Sequence, residues 1–182
     1  MFKTFPELRN DQIILREYQN NDILRYFKLM SDFNAVKFYR QPIAHINDVL
    51  TEFESDKKRR MQEEAIRWAI TLIPHNDFIG TIDIYNIIKS KKMATLGCAI
   101  LPEFQHQNIG YRSISMALEF MFYQCGLNRI QLYASPHNSP AIKTYTRLGF
   151  KQEGLLREYE FDGNNHHDML LFSILKRDYI HH

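Results

Sequence analysis

Leu101-Pro102-Glu103-Phe104-Gln105-His106-Gln107-Asn108-Ile109-Gly110 stands between two segments of different period, and that change sets the fold. Before it, Ala94-Thr95-Leu96-Gly97-Cys98-Ala99-Ile100 reads as a strand. After it, Ile114, Ala117, Leu118, Met121, Phe122 and Cys125 recur at helical spacing, in a helix that begins near Tyr111 and stops at Gly126. The order is therefore strand, irregular loop, helix. The first turn of a helix leaves N–H groups unpaired and carries partial positive charge, so a diphosphate can be held there without lysine or arginine. Asn108 and Gly110 both tolerate positive φ and are expected to let the backbone curl around such an anion. Taken alone, the same residues suit an ordinary turn equally well.

Working outward, the polar turn Lys89-Ser90-Lys91-Lys92 links this strand to Phe78–Tyr85, which Pro74-His75-Asn76-Asp77 links in turn to Trp68–Ile73. A three-strand antiparallel meander is predicted. Upstream, Ile13–Glu17 reads as a strand, and Asn20-Asn21-Asp22 as the N-cap of a helix with Ile23, Leu24, Phe27 and Met30 on one side. Beyond Pro42, Val49, Leu50 and Phe53 mark a second amphipathic helix. Downstream come a strand at Ile130–Ala134, a short helix opened by Ser139 as cap and Pro140 at its first position, and Leu148-Gly149 to close it. Two last strands, near Lys151–Phe161 and His166–Leu175, flank the hairpin turn Asp162-Gly163-Asn164-Asn165.

Composition narrows the function classes. Lysine plus arginine number 23 against 21 aspartate plus glutamate, a net charge of +2 that is too small for a dedicated nucleic-acid binder. The basic run Lys57-Lys58-Arg59-Arg60 sits beside Glu63 and Glu64 and reads as a solvated helix end or loop. Cys98 and Cys125, the two cysteines, lack C-x-x-C spacing, so neither a metal site nor a disulfide framework is expected and a reducing cytoplasm fits. The N-terminal Met1-Phe2-Lys3-Thr4-Phe5-Pro6 lacks a continuous apolar run, and no run approaches the roughly 18 residues of a membrane span, so neither secretion nor membrane insertion is expected. The terminal His181-His182 carries no functional weight.

Gln105-x-x-Asn108-x-Gly110 resembles the Q/R-x-x-G-x-G/A signature of the GNAT acetyltransferase superfamily. Asn138-Ser139-Pro140-Ala141-Ile142-Lys143-Thr144-Tyr145-Thr146-Arg147-Leu148-Gly149-Phe150 resembles that family's N-x-x-A-x-x-x-Y-x-x-x-G-F block, and one helix and one strand separate the two. The similarity runs more loosely from Ile13-Leu15-Arg16 to the final hairpin, and its pattern most resembles the branch of ribosomal-protein and polyamine N-acetyltransferases. The resemblance implies an α/β (α+β) fold: a mixed, mostly antiparallel sheet of about seven strands with about four flanking helices, as one domain over residues 1–182. It implies acetyl-coenzyme A as cosubstrate, no metal, and a primary amine as acceptor: a protein N-terminus, a lysine side chain, a polyamine or another small amine. The cofactor residues it implies are Ile100, Leu101, Gln105, Asn108, Ile109, Gly110, Tyr111, Asn138 and Tyr145. One departure matters: Asn108 replaces the signature's first glycine and brings a side chain toward the phosphates.

The implied reaction is direct attack of a neutral amine on the thioester carbonyl within a ternary complex, followed by departure of the thiolate. The end of the strand at Ala99–Leu101 is expected to splay from its neighbour and free backbone groups for the pantetheine arm. Tyr145 is the implied general acid, since a phenol can donate to the departing sulfur. Without the motif it would read as the inward side chain of a short helix alongside Ala141 and Leu148. The base is not written in the motifs: some relatives carry a glutamate where Tyr133 stands here. Asp83, Glu103, His137, Glu158 and a water relay stay open, and His106 faces either phosphate or solvent. Cys98 as a nucleophile would need a paired histidine that the sequence does not indicate. The acceptor pocket falls to the two early helices and the closing hairpin, with Tyr39, Tyr85, Tyr159 and Phe161 as candidate lining. A non-catalytic acyl-coenzyme A sensor is the alternative reading, and a homodimer through an edge strand or the final hairpin stays open.

Overall fold

A computed structural model describes residues 4–36 and 41–179. Tyr39 and the terminal His181-His182 lie outside the described residues. Eight strands form one sheet: Leu8–Arg9 (β1), Ile13–Arg16 (β2), Ile66–Leu72 (β3), Asp77–Ile88 (β4), Met93–Ile100 (β5), Arg129–Ala134 (β6), Lys151–Phe161 (β7) and His166–Leu175 (β8). Their order is β1-β2-β3-β4-β5-β6-β8-β7, with every neighbouring pair antiparallel except β5 and β6. The predicted meander is β3-β4-β5. The strand beyond the expected seven is the two-residue β1, which is too short for any alternation to register in the sequence.

Helices cover both faces. Ile23–Ser31 (α1), the single turn Phe33–Val36 (α2) and Ile46–Met61 (α3) belong to a core of Tyr26, Leu29, Met30, Val49, Ala69, Phe78 and Ala99. Ile109–Glu119 (α4) and Ser139–Arg147 (α5) lie on a larger core of Trp68, Ile70, Ile82, Leu96, Ile114, Leu118, Phe122 and Ile130. Adjacent strand positions point to opposite faces, so Cys98 and Ile100 pack with the α4 side while Ala99 and Leu101 pack with the α1 side. One π-type turn, Phe120–Gln124, carries α4 to Gly126, whose φ of 71° ends it as expected.

Three local expectations change. Asn20–Asp22 forms a 3₁₀ turn, and the Asp22 carboxylate turns back to accept the Gln19 N–H at 2.8 Å and a bidentate pair of bonds from Arg16 at 2.6 and 2.9 Å. A buried guanidinium outcompetes a helix terminus for the carboxylate, because an unpaired buried charge is the costlier state. On α1 the buried face is Tyr26, Leu29 and Met30, whereas Leu24 is exposed. The cap of α5 is Asn138, whose Oδ1 accepts from Ala141 N at 3.3 Å, which makes Ser139 the first helical residue and Pro140 the second.

The parallel contact between β5 and β6 is confined to Met93–Thr95 against Arg129–Gln131. Beyond Thr95 the two strands are not paired, so the C-terminal half of β5 is bonded only to β4, up to Gly80 opposite Ile100. Gly80 is required there: a Cβ on it would stand 2.5 Å from the Ala99 carbonyl oxygen and 3.1 Å from Ile100 Cα. Backbone cannot yield as a flexible side chain does, so Gly80→Ala is expected to cost about 1–3 kcal/mol of stability, read as a lowered urea midpoint.

Candidate active site

The unpaired end of β5, the loop after it and the N-terminal turns of α4 and α5 enclose a cleft of about 700 Å³. Cys98, Ala99 and Ile100 form its strand wall. The loop is curled by two left-handed residues, His106 at φ 61° and Asn108 at φ 59°. Asparagine at the second of these positions marked it in the sequence, whereas His106 read only as a residue facing phosphate or solvent. Gly110, expected to help the curl, is instead helical; its lack of a side chain gives room, because a Cβ there would meet Ile100 Cδ1 at 3.3 Å.

Asn108 caps α4, and its carbonyl accepts the first helical bond from Arg112 N at 3.0 Å. The N–H groups of Ile109 and Gly110 precede that bond and have no acceptor within the helix. The Asn108 side chain makes no cap bond and instead accepts from Arg147 Nη1 of α5 at 2.9 Å. Gln105 braces the loop, its Nε2 donating to the Ile100 carbonyl at 2.9 Å. Asn138 lines the cleft with Oδ1 already committed to the α5 cap, so its NH₂ group is what it can offer a ligand.

Tyr145 is 9% exposed and lines the cleft, with its ring 5.9 Å from Phe150 and 6.3 Å from Phe172. Its hydroxyl has no hydrogen-bond partner among the described residues. Burial pushes the phenol well above its ordinary range, with Cys98 and Tyr85 adding to the effect, so it remains protonated throughout the physiological range. Ile100, Gln105, Asn108, Ile109, Gly110, Tyr111, Asn138 and Tyr145 thus line one cleft. Leu101 does not: its side chain is buried toward α1 and its N–H donates to the Ile79 carbonyl at 2.9 Å.

The chain matches the description "Acetyltransferase (GNAT) domain" over residues 12–151. It belongs to the GNAT acetyltransferase family. It is 25% identical over 173 residues to the uncharacterized N-acetyltransferase YoaA of Bacillus subtilis (strain 168), covering 94% of this chain and 98% of that one. Among solved structures it is similar to spermidine N-acetyltransferase from Vibrio cholerae in complex with CoA and spermine, at 24% identity and TM-score 0.83 over 93% of this chain and 99% of the other. It is similar as well to Mycobacterium smegmatis RimJ in complex with CoA-disulfide, at 19% identity and TM-score 0.82 over 94% and 86%.

A GNAT enzyme takes its acyl group from acetyl-coenzyme A, and this cleft fits that polyanion in sign. Among the described residues, no aspartate or glutamate lines it, and the basic side chains that do are Lys143, Arg147, His106 and His137. Cys98 also lines it, but burial pushes its thiol up to about 12. Alkylation of Cys98 by iodoacetamide at pH 8 is therefore expected to be slower than that of an ordinary thiol by a factor on the order of 10³, measured by mass spectrometry. The thioester nucleophile reading loses its thiolate on the same ground.

A second pocket, about 360 Å³, lies on the α1–α3 face and is lined by Gln41, Asp56, Arg59, Arg67, Asp83 and Tyr85 among others. Here one guanidinium serves three carboxylates: Arg67 reaches Asp83 at 2.5 Å, Asp56 at 3.0 Å and Glu52 at 3.2 Å. Asp83 is the most deeply buried of the three, and burial lifts its carboxyl to about 8. With the Arg67 charge divided among them, the deepest carboxyl is the one that keeps a proton. Of the other possible bases, Glu103 is exposed and tied to Lys28 at 2.7 Å, and Glu158 is exposed in the bulge of β7, where its N–H donates to Asp168. His137 lines the larger cleft. Tyr133 stacks on Tyr159 at 4.9 Å, and their hydrogen bond, the largest cause, lifts the Tyr159 phenol to about 12. Phe161 is exposed against His166. Among the described residues, no group of three or more histidine, cysteine, aspartate or glutamate side chains is placed to hold a metal ion, and no helix is long and apolar enough to cross a membrane.

Proposed function

We propose that this chain, working as one domain over residues 1–182, transfers the acetyl group of acetyl-coenzyme A to a primary amine by direct attack in a ternary complex. The observation that carries this reading is the cleft without carboxylates, extending from the unpaired N–H groups of α4, past the unpaired half of β5, to the Tyr145 hydroxyl. The diphosphate takes the Ile109 and Gly110 N–H groups, and the pantetheine arm lies against Cys98–Ile100 within reach of the Asn138 NH₂. The acceptor enters from the Asp83–Tyr85 pocket. That pocket adjoins the cleft across the β4–β5 pairing, where Asp83 stands opposite Gly97, the neighbour of Cys98. The amine nitrogen bonds to the carbonyl carbon and its proton passes to the Asp83 carboxylate. As the C–S bond breaks, Tyr145 donates to the sulfur.

The acidic pocket supports a cationic amine as the approaching acceptor. A polyamine and a protein N-terminus both meet that description, and the relatives named above include a spermidine N-acetyltransferase. Two unbridged cysteines, Cys98 and Cys125, support the cytoplasm as its compartment. The test is thiol release from acetyl-coenzyme A against spermidine, N-terminal alanine and serine peptides, and lysine peptides. Turnover with any of them supports the enzyme. Tight acetyl-coenzyme A binding by calorimetry without turnover would favour a sensor, and no binding would overturn both.

A further inference from the structure

Lys143 and Arg147 stand four residues apart on α5 and both line the cofactor cleft, so they share one face of that helix. Arg16, Arg67 and Arg129 are each tied to carboxylates. Arg147, by contrast, is partnered by an uncharged amide and a ring: Nη1 donates to Asn108 Oδ1 at 2.9 Å, and the guanidinium lies over the Tyr111 ring at 4.1 Å. Its charge and most of its five N–H donors are uncommitted. Neither cation has a carboxylate partner among the described residues, and no carboxylate lines the cleft around them. Two unneutralised positive charges held on one rim, one of them flattened on an aromatic face, are arranged for an anion.

We propose that Arg147, with Lys143 one turn before it, binds the 3′-phosphate of the coenzyme A nucleotide. The assignment rests on the acetyl-coenzyme A reading above and goes beyond it. The Asn108 side chain lies between the guanidinium and the helix terminus, so Arg147 stands outward of the N–H groups that receive the diphosphate. The next anionic group along the nucleotide is the 3′-phosphate, a near-dianion at neutral pH. The asparagine that departs from the signature glycine thereby gains a function: its carbonyl fixes the guanidinium at the rim, and the rim supplies charge the loop itself lacks.

Calorimetry with coenzyme A and with dephospho-coenzyme A, which lacks only the 3′-phosphate, tests this. The wild-type protein is expected to prefer coenzyme A by about tenfold or more at low salt, and the preference should shrink as salt rises. Arg147→Ala should reduce it to about twofold with little change for dephospho-coenzyme A; Lys143→Ala should reduce it in part, and Arg147→Lys should fall between. Arg147→Ala made on an Asn108→Gly background should still lose the preference, since a guanidinium that merely restrains Asn108 would have nothing left to do there. Equal weakening toward both ligands, or a wild-type protein that does not distinguish them, overturns the assignment. Absence of binding by either ligand overturns the cofactor reading itself and the assignment with it.

Discussion

Tyr145→Phe is expected to lower kcat by about 10²–10³-fold while leaving the Kd for acetyl-coenzyme A within about twofold. The substitution removes one oxygen atom and keeps the ring between Phe150 and Phe172, so the core it belongs to stays filled. What disappears is the sole hydroxyl among the described residues that lines the cleft while buried from bulk solvent on the α5 side. The raised phenol fixes both the size and the pH dependence of the effect. A phenol above its usual range of about 10 gives up a proton reluctantly to a thiolate whose own value is about 8.5, so its contribution comes mainly as a hydrogen bond strengthened while charge builds on sulfur. That places the loss below the upper end of what acid catalysis supplies. Because the phenol stays protonated, the ratio of wild-type to variant kcat should hold constant from pH 6 to 9. The rise of wild-type activity with pH should instead follow ionisation of Asp83 near 8. Stopped thiol-release assays give kcat and calorimetry gives Kd; an unchanged kcat would return Tyr145 to a packing role.

The α4 side of this cleft was legible in the sequence because the residues that line it are local. Gln105, Asn108, Ile109, Gly110 and Tyr111 are neighbours along the chain, and the strand–loop–helix order places them at a helix terminus whatever the rest of the fold does. Leu101 lies in the same motif, but the period-two alternation of a strand sends its side chain to the opposite face from Ile100, so it is absent from the cleft wall. Arg147 lies within the Asn138–Phe150 block, but its partners Asn108 and Tyr111 are remote in sequence and adjacent only after α4 and α5 pack. The pocket around Arg67 was least legible of all. Glu52, Asp56, Arg67 and Asp83 come from α3, β3 and β4 with no fixed spacing, and Arg67 is an unremarkable residue in a strand until three carboxylates converge on it.

That convergence carries the largest expected effect on stability. Arg67→Met keeps most of the side-chain volume and removes the charge, leaving Asp83 at 6% side-chain exposure, Asp56 at 18% and Glu52 at 22% without their shared cation. Stripping the partner from a buried pair costs about 3–5 kcal/mol, and the loss should be read at pH 8, where all three carboxyls are pressed to ionise. At pH 5 they can take up protons instead, so the same variant should lose less. Asp83 alone already tilts the wild-type curve. Its folded value near 8 stands above the roughly 3.9 of an unfolded aspartate, so the folded protein holds the extra proton between those limits. Its stabilising contribution is complete below about pH 4 and gone above about pH 8, with a slope of at most about 1.4 kcal/mol per pH unit. Glu153, held down to about 2 mainly by its hydrogen bond with Arg129, loses its pairing only at the acid end, which leaves pH 5 to 8 as the window that reports on Asp83. Asp83→Asn should flatten the urea-unfolding profile across that window, and combined with Arg67→Met it should recover part of the loss at pH 8 by removing the carboxyl least able to bear its charge. Should Arg67→Met cost the same at pH 5 and pH 8, the guanidinium would be acting through packing alone, and Asp83 could no longer be the group that receives the amine proton.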